Sequence, residues 1–204
     1  MQHIDTLFLD RDGTLIVECH YLHDPDQVQL IPDVTASMRI LCTLGVRFFL
    51  VSNQSGIGRG FFTTDQYLSV HNRLETLLAQ EGIRLSGSAF CPHSPEQSCA
   101  CRKPRIGLWQ QLCATHSLRP ETTMMIGDKK ADIGFGQAVG CAATALVHTG
   151  HGLDQARLLG LPALTQPLAL CPAGPGWPTL QAHSLADVLS WLVQHKRDSY
   201  AHRI

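Results

Sequence analysis

The chain carries no surplus of either charge: Lys and Arg number 16, Asp and Glu 17, and the net charge is -1. A nucleic-acid-binding surface draws its affinity from an excess of cations over phosphates, so that class is set aside. Long apolar runs are missing too. No stretch approaches the ~18 uninterrupted apolar residues of a membrane span. The opening run from Thr6 to Leu9 ends in charges and is too short for the core of a secretory signal. Neither an internal repeat nor a low-complexity tract is present. These absences predict a cytoplasmic chain with neither nucleic acid nor membrane as partner.

What is present is an ordinary globular composition. The 204 residues are 44% hydrophobic and 16% charged, which suits one domain, 1–204, with its own core. Eight cysteines in a reducing compartment argue for metal binding rather than a disulfide scaffold.

Short apolar runs alternate with helical patterns. "TLFLD" (6–10), "VRFFLVS" (46–52), "GSAFCP" (87–92), "TTMMIGD" (122–128) and "AATALVHTG" (142–150) read as buried strands. Such near-continuous runs belong to a parallel sheet covered on both faces. Between them, helices are expected over 33–45 with Gly45 closing it, over 64–82 with Thr64 as its cap, over 107–118 and over 132–140. Alternation of this kind predicts an α/β, Rossmann-like fold with a parallel sheet. Beyond Gly150, "LPALTQPLALCPAGPGWP" is proline-rich; 161–183 reads as a surface segment with room for one edge strand. A last helix is expected over 184–197, capped by Ser184 and with Lys and Arg in its final turn.

Ligands of open α/β sheets gather outside the carboxyl ends of the strands. "DRDGT" (10–14), "SNQSG" (52–56) and "GDKKAD" (127–132) fall there. Asp10, Asp12 and Asp128 would converge from two strands, and converging carboxylates suit Mg²⁺. One such Asp would more simply be a helix cap; "DxDGT" with "GDxxxD" at this separation is not explained that way. Together these motifs resemble the haloacid dehalogenase (HAD) superfamily of phosphatases. The resemblance implies Asp10 as nucleophile, Asp12 as acid and base, and Mg²⁺ on Asp10, the Asp12 carbonyl and Asp128. It also implies Ser52 and Asn53 on the phosphoryl oxygens, a balancing lysine, and Thr14 supporting the turn that Gly13 allows. Only 39 residues separate Asp12 from Ser52, so no large cap domain is expected and the site should be open.

The expected lysine is Lys103, within "CPHSPEQSCACRKP" (91–104) and immediately after its cysteine cluster. Cys91, His93, Cys99 and Cys101 form a Cys₃His set that would fill tetrahedral Zn²⁺ and leave no open position, a structural site. Free buried thiols and a disulfide compete with this reading, but the polar "HSPEQS" suits buried hydrophobes poorly. A clamped metal would replace the core that the loop lacks and aim Arg102 and Lys103 at the strand ends.

Within the superfamily, residues 5 to about 150 are similar to the zinc-containing branch of heptose-bisphosphate and histidinol-phosphate phosphatases. "HYLHDPDQVQLIPDV" and "SNQSGIGRGFFT" look more like the heptose members. That similarity implies a sugar bisphosphate substrate, bound by Glu18, Cys19, His20, Tyr21, Ser52, Asn53, Gln54, Ser55, Arg102, Lys103 and Lys129, in a monomer. Arg59 is a candidate for a second phosphate. Histidinol-phosphate hydrolysis is the alternative, with a DNA 3′-phosphatase and a non-catalytic zinc-stabilised binding module as weaker ones.

Overall fold

The computed structural model describes residues 3–201. Seven strands form one sheet: β1 (Thr6–Leu9), β2 (Arg47–Asn53), β3 (Gly87–Cys91), β4 (Thr123–Gly127), β5 (Ala143–Val147), β6 (Leu168–Leu170) and β7 (Leu180–Ala182), in the order β3-β2-β1-β4-β5-β7-β6. All pairings are parallel except that of β6 with β7. The helices are α1 (Val34–Thr43), α2 (Ser55–Gly58), α3 (Thr64–Gln80), α4 (Gly107–Cys113), α5 (Lys130–Val139), α6 (Gly152–Leu158) and α7 (Leu185–Ala201).

Period-two alternation sends each central strand's side chains to opposite layers. Leu7, Leu9, Phe48, Leu50, Met124 and Ile126 join α1, α3 and α7 in the larger core. Phe8, Phe49, Val51 and Met125 meet α4 and α5 on the other face, with Cys91. Phe8 lies 5.3 Å from Phe49 and 5.2 Å from Trp109, ring centre to ring centre. Both faces are covered, as continuous apolar strands require. Among the described residues no separate domain is inserted between β1 and β2, and no helix is long and apolar enough to cross a membrane.

Five strands fall where their apolar runs place them. The expected edge strand in the proline-rich segment is β6, which lies at the sheet margin. β7 and α6 were not expected; at three and seven residues they are too short for periodicity to register. The cap of α3 is Thr63 rather than Thr64: its hydroxyl accepts from the Gln66 amide and the Gln66 side chain accepts from the Thr63 amide, a reciprocal capping box. Ser184 and Asp187 make the same exchange before α7. That helix runs to Ala201, so Lys196 and Arg197 lie short of its final turn.

Candidate active site

The chain turns sharply as it leaves β1. The Arg11 carbonyl accepts from the amides of Leu15 and Ile16, each at 3.0 Å. Gly13 has φ 80°, where a side chain is strained, and a Cβ there would sit 2.5 Å from Asp128 Oδ2. The Thr14 hydroxyl, expected to support this turn, is buried without a partner. Thr149, from the loop after β5, does that work instead, donating to the Gly13 carbonyl at 2.5 Å.

Parallel pairing sets Leu9 beside Leu50 on one side and Ile126 on the other. The residues that follow therefore share one end of the sheet. They border a cleft of about 360 Å³ lined by Asp10, Asp12, Glu18, His20, Tyr21, Ser52, Asn53, Gln54, Ser55, Arg102, Lys103, Lys129 and, unforeseen, Arg11, Asp132 and His151. Asp128 lies just behind, fully buried. Cys19 is not among the lining residues; its side chain packs against the larger core, because it sits on the inward side of the segment. His20 and Tyr21 adopt positive φ, 27° and 56°, a strained pair of the kind that clusters at functional sites.

Lys103 is buried at the centre. Its Nζ lies 2.6 Å from Asp10 Oδ1, 2.6 Å from Asp132 Oδ1 and 2.7 Å from the Val51 carbonyl. Burial disfavours its charge, but Asp10 and Asp132 outweigh that and push its pKa up. Its backbone is clipped by Asn53: Asn53 Oδ1 accepts from the Lys103 amide at 2.9 Å and Nδ2 donates to its carbonyl at 3.1 Å. Asn53 thus lines the cleft with its Oδ1 and one Nδ2 hydrogen engaged by the Lys103 backbone. Lys129 lies 3.2 Å from Asp128 and 3.7 Å from Glu18. Burial works against this cation as well, and Asp10 and Asp128 prevail. Arg59, considered for a second phosphate, bonds the Tyr21 hydroxyl at 3.0 Å and reaches Glu96 at 3.5 Å.

Asp10, Asp128 and Asp132 present oxygens within 4.8 Å of one another. Burial, then Asp10, raise the pKa of Asp128 to about 7. Four carboxylates (Asp10, Asp128, Asp132 and Glu18) share the two ammonium groups of Lys103 and Lys129. A divalent ion would cancel that imbalance, and hard oxygens suit Mg²⁺.

The Cys/His loop also comes together. Cys91 Sγ lies 3.7 Å from Cys99 Sγ, 3.2 Å from Cys101 Sγ and 3.6 Å from His93 Nδ1, and His93 Nδ1 lies 3.3 Å from Cys101 Sγ. Two thiolates on one tetrahedral zinc stand about 3.8 Å apart at ~2.3 Å bonds. A disulfide needs about 2.05 Å, so these edges fit a metal cage and not a bridge. Burial pushes the Cys91 thiol up to about 12; a bound cation would reverse this.

Sequence motifs flagged most of the site. Asp132 closes the quoted "GDKKAD" and Arg11 sits inside "DRDGT", so both lay in view without a role. His151, whose amide donates to Asp128 at 2.8 Å, had no sequence signal.

The HAD-hydrolase-like family model matches residues 100–166. A D-glycero-beta-D-manno-heptose-1,7-bisphosphate 7-phosphatase of Pasteurella multocida is 39% identical over 155 residues, covering 73% of this chain and 84% of its own. The protein of that name from Haemophilus influenzae is 37% identical over 150 residues, with 71% and 82% covered. Among solved structures, D,D-heptose 1,7-bisphosphate phosphatase from B. bronchiseptica, complexed with magnesium and phosphate, is similar at TM-score 0.78 and 28% identity. It covers 94% of this chain and 99% of that one.

Proposed function

Because this chain belongs to the heptose-1,7-bisphosphate 7-phosphatase family of HAD-like hydrolases, phosphoric monoester hydrolases, we propose that it removes the C7 phosphate of D-glycero-D-manno-heptose 1,7-bisphosphate. The observation that carries the mechanism is the meeting of Asp10, Asp12 and Lys103 in one cleft, with Asp128 directly behind.

Asp10, the Asp12 carbonyl and Asp128 would hold Mg²⁺, which when bound offsets phosphate charge beside these anions. Asp10 attacks phosphorus, and the bond from phosphorus to the C7 oxygen breaks. Asp12 gives that oxygen a proton, then takes one from the water that attacks the aspartyl-phosphate, returning Asp10 and free phosphate. Lys103, fixed through Nζ and through its backbone, faces the charge on the transferring group. Ser52 meets the phosphoryl oxygens and Lys129 assists Asp128 at the metal and phosphate, while Ser55 and Arg102 meet the rest of the substrate at the rim, with Glu18, His20 and Tyr21. Cys91, His93, Cys99 and Cys101 would hold a structural Zn²⁺. On this reading the chain is a cytoplasmic, monomeric, single-domain enzyme supplying the precursor of ADP- or GDP-activated heptose for lipopolysaccharide core or surface glycans.

Phosphate release with Mg²⁺ tests it. The panel is both anomers of heptose 1,7-bisphosphate, histidinol phosphate and a 3′-phosphorylated oligonucleotide. A preference of about a hundredfold in kcat/KM for one heptose anomer, ~2.7 kcal/mol, is expected, and Asp10→Asn should abolish turnover. Preference for histidinol phosphate would replace the substrate, and turnover unchanged in Asp10→Asn would remove the mechanism.

A further inference from the structure

Asp12 is gripped from behind by groups that its catalytic role does not explain. Arg11 is fully buried although it is the only residue between the two aspartates of the motif. Its guanidinium forks onto the Asp12 carboxylate, Nε to Oδ2 at 3.0 Å and Nη2 to Oδ1 at 3.0 Å. Nη2 also donates to Gln54 Oε1 at 3.2 Å. Gln54 in turn donates through Nε2 to Asp12 Oδ2 at 2.8 Å and to Ser52 Oγ at 2.7 Å. The guanidinium lies 4.9 Å from the centre of the Tyr67 ring. Tyr67 is itself buried in α3 between Phe90, at 4.1 Å, and His71, at 6.0 Å. Three elements therefore build one device: the turn after β1, the end of β2 and the inner face of α3.

Two features say that this device serves orientation rather than stability. Arg11 Nη1 is buried with no hydrogen-bond partner, and an unsatisfied charged donor is costly. The Asp12 side chain, by contrast, opens to the cleft, so water could solvate it if Arg11 were gone. A bidentate fork fixes the plane of a carboxylate as a point charge cannot. The two oxygens are also left unequal. Oδ2 accepts from two donors, Arg11 and Gln54, while Oδ1 accepts from one.

We infer that Arg11 and Gln54 are positioning residues that lock the Asp12 carboxylate in one plane and leave Oδ1 as the oxygen that exchanges protons with the leaving group and the water. Gln54 acts through Asp12 rather than by touching substrate. The inference rests on Asp12 being the acid and base of the proposed reaction.

The test compares wild type with Arg11→Met, Arg11→Lys and Gln54→Leu under saturating Mg²⁺. It measures kcat and KM for heptose 1,7-bisphosphate, the rate of aspartyl-phosphate formation by acid quench, and the melting temperature. Aspartyl-phosphate formation is repeated with an aryl phosphate, whose leaving group departs without a proton. Arg11→Met should lose about a hundredfold in kcat, within the range of acid and base catalysis, with KM nearly constant and melting temperature unchanged or raised. Its aspartyl-phosphate formation should slow far less with the aryl phosphate than with the heptose. Arg11→Lys should not restore kcat, and Gln54→Leu should lose about tenfold in kcat at constant KM. A folded Arg11→Met with wild-type kcat overturns the inference, as does equal slowing with both leaving groups or a loss confined to KM. If Arg11→Met does not fold, wild-type kcat in Gln54→Leu overturns it. Should wild type prefer another phosphate ester, the substrate reading fails while the same comparison, run on that ester, still judges the clamp. If wild type hydrolyses none, both fall.

Discussion

Asn53 touches the Lys103 backbone at both its amide and its carbonyl, so part of its contribution to turnover runs through the lysine. Removing it leaves two buried backbone groups unpaired and lets the cation drift. Asn53→Ala should lower kcat/KM by about ten- to a hundredfold, the scale of a displacement near 1 Å. Denaturant titration should find it less stable by about 1–3 kcal/mol. Asp128 makes a prediction of a different kind. Its pKa in the fold is about 7 against 3.8 for the free side chain. Between those values the folded state binds more protons than the unfolded one, so stability falls as pH rises. Metal-free protein should lose melting temperature from about pH 4 to about pH 7 on this account, Asp128→Asn should flatten that slope, and Mg²⁺ should stabilise more at the upper end. A slope unchanged in Asp128→Asn would assign it to another group. The aspartates could be read in the sequence because spacing and strand ends place them. That Asn53 clips the Lys103 backbone was not legible, because a sequence shows which residue stands at a strand end and not which partner its amide takes.

The loop 92–103 is an element without regular structure, held at its start by β3, in its middle by the Cys/His cluster and at its end by Asn53. Its apolar contacts are few, Cys99 and Cys101 touching the smaller core. Cys101→Ser should therefore lower melting temperature and phosphatase activity together, activity by about tenfold or more as Lys103 loses its aim. Circular dichroism and phosphate release from the same preparations check it. Full activity with the metal gone would mean that Asn53 alone suffices to place the lysine. The tight Cys and His spacing made this element legible before any fold was known. The short elements after Gly150 were not: α6 makes about two turns, and β7 consists of Leu180, Gln181 and Ala182, in which only pairing with β5 makes a strand. Local pattern cannot carry a signal that tertiary pairing supplies.

Across the whole molecule, the sheet gathers its anions at one end beneath a cleft that, among the described residues, no inserted domain closes over. Discrimination in such a cleft must come from rim groups rather than enclosure. Arg102 is a lining cation that a second phosphate could reach. Wild type should therefore favour heptose 1,7-bisphosphate over heptose 7-phosphate by at least about tenfold in kcat/KM, the scale of one charge-assisted hydrogen bond. Arg102→Ala should erase most of that ratio while sparing the monophosphate. An undiminished ratio in the variant would move the second phosphate elsewhere on the rim.

The strand order carries a consequence for how the chain is made. β1 lies at the centre and is translated first, but its two neighbours begin at Arg47 and Thr123. At ribosomal speeds of roughly 5–20 residues per second, the second edge of β1 waits on the order of ten seconds for its partner. Lys103 and Asp128 emerge late in that interval or after it. A nascent chain therefore exposes Asp10 and Asp12 well before it can assemble the cleft, and the carboxylates come together only when the sheet closes around its oldest strand.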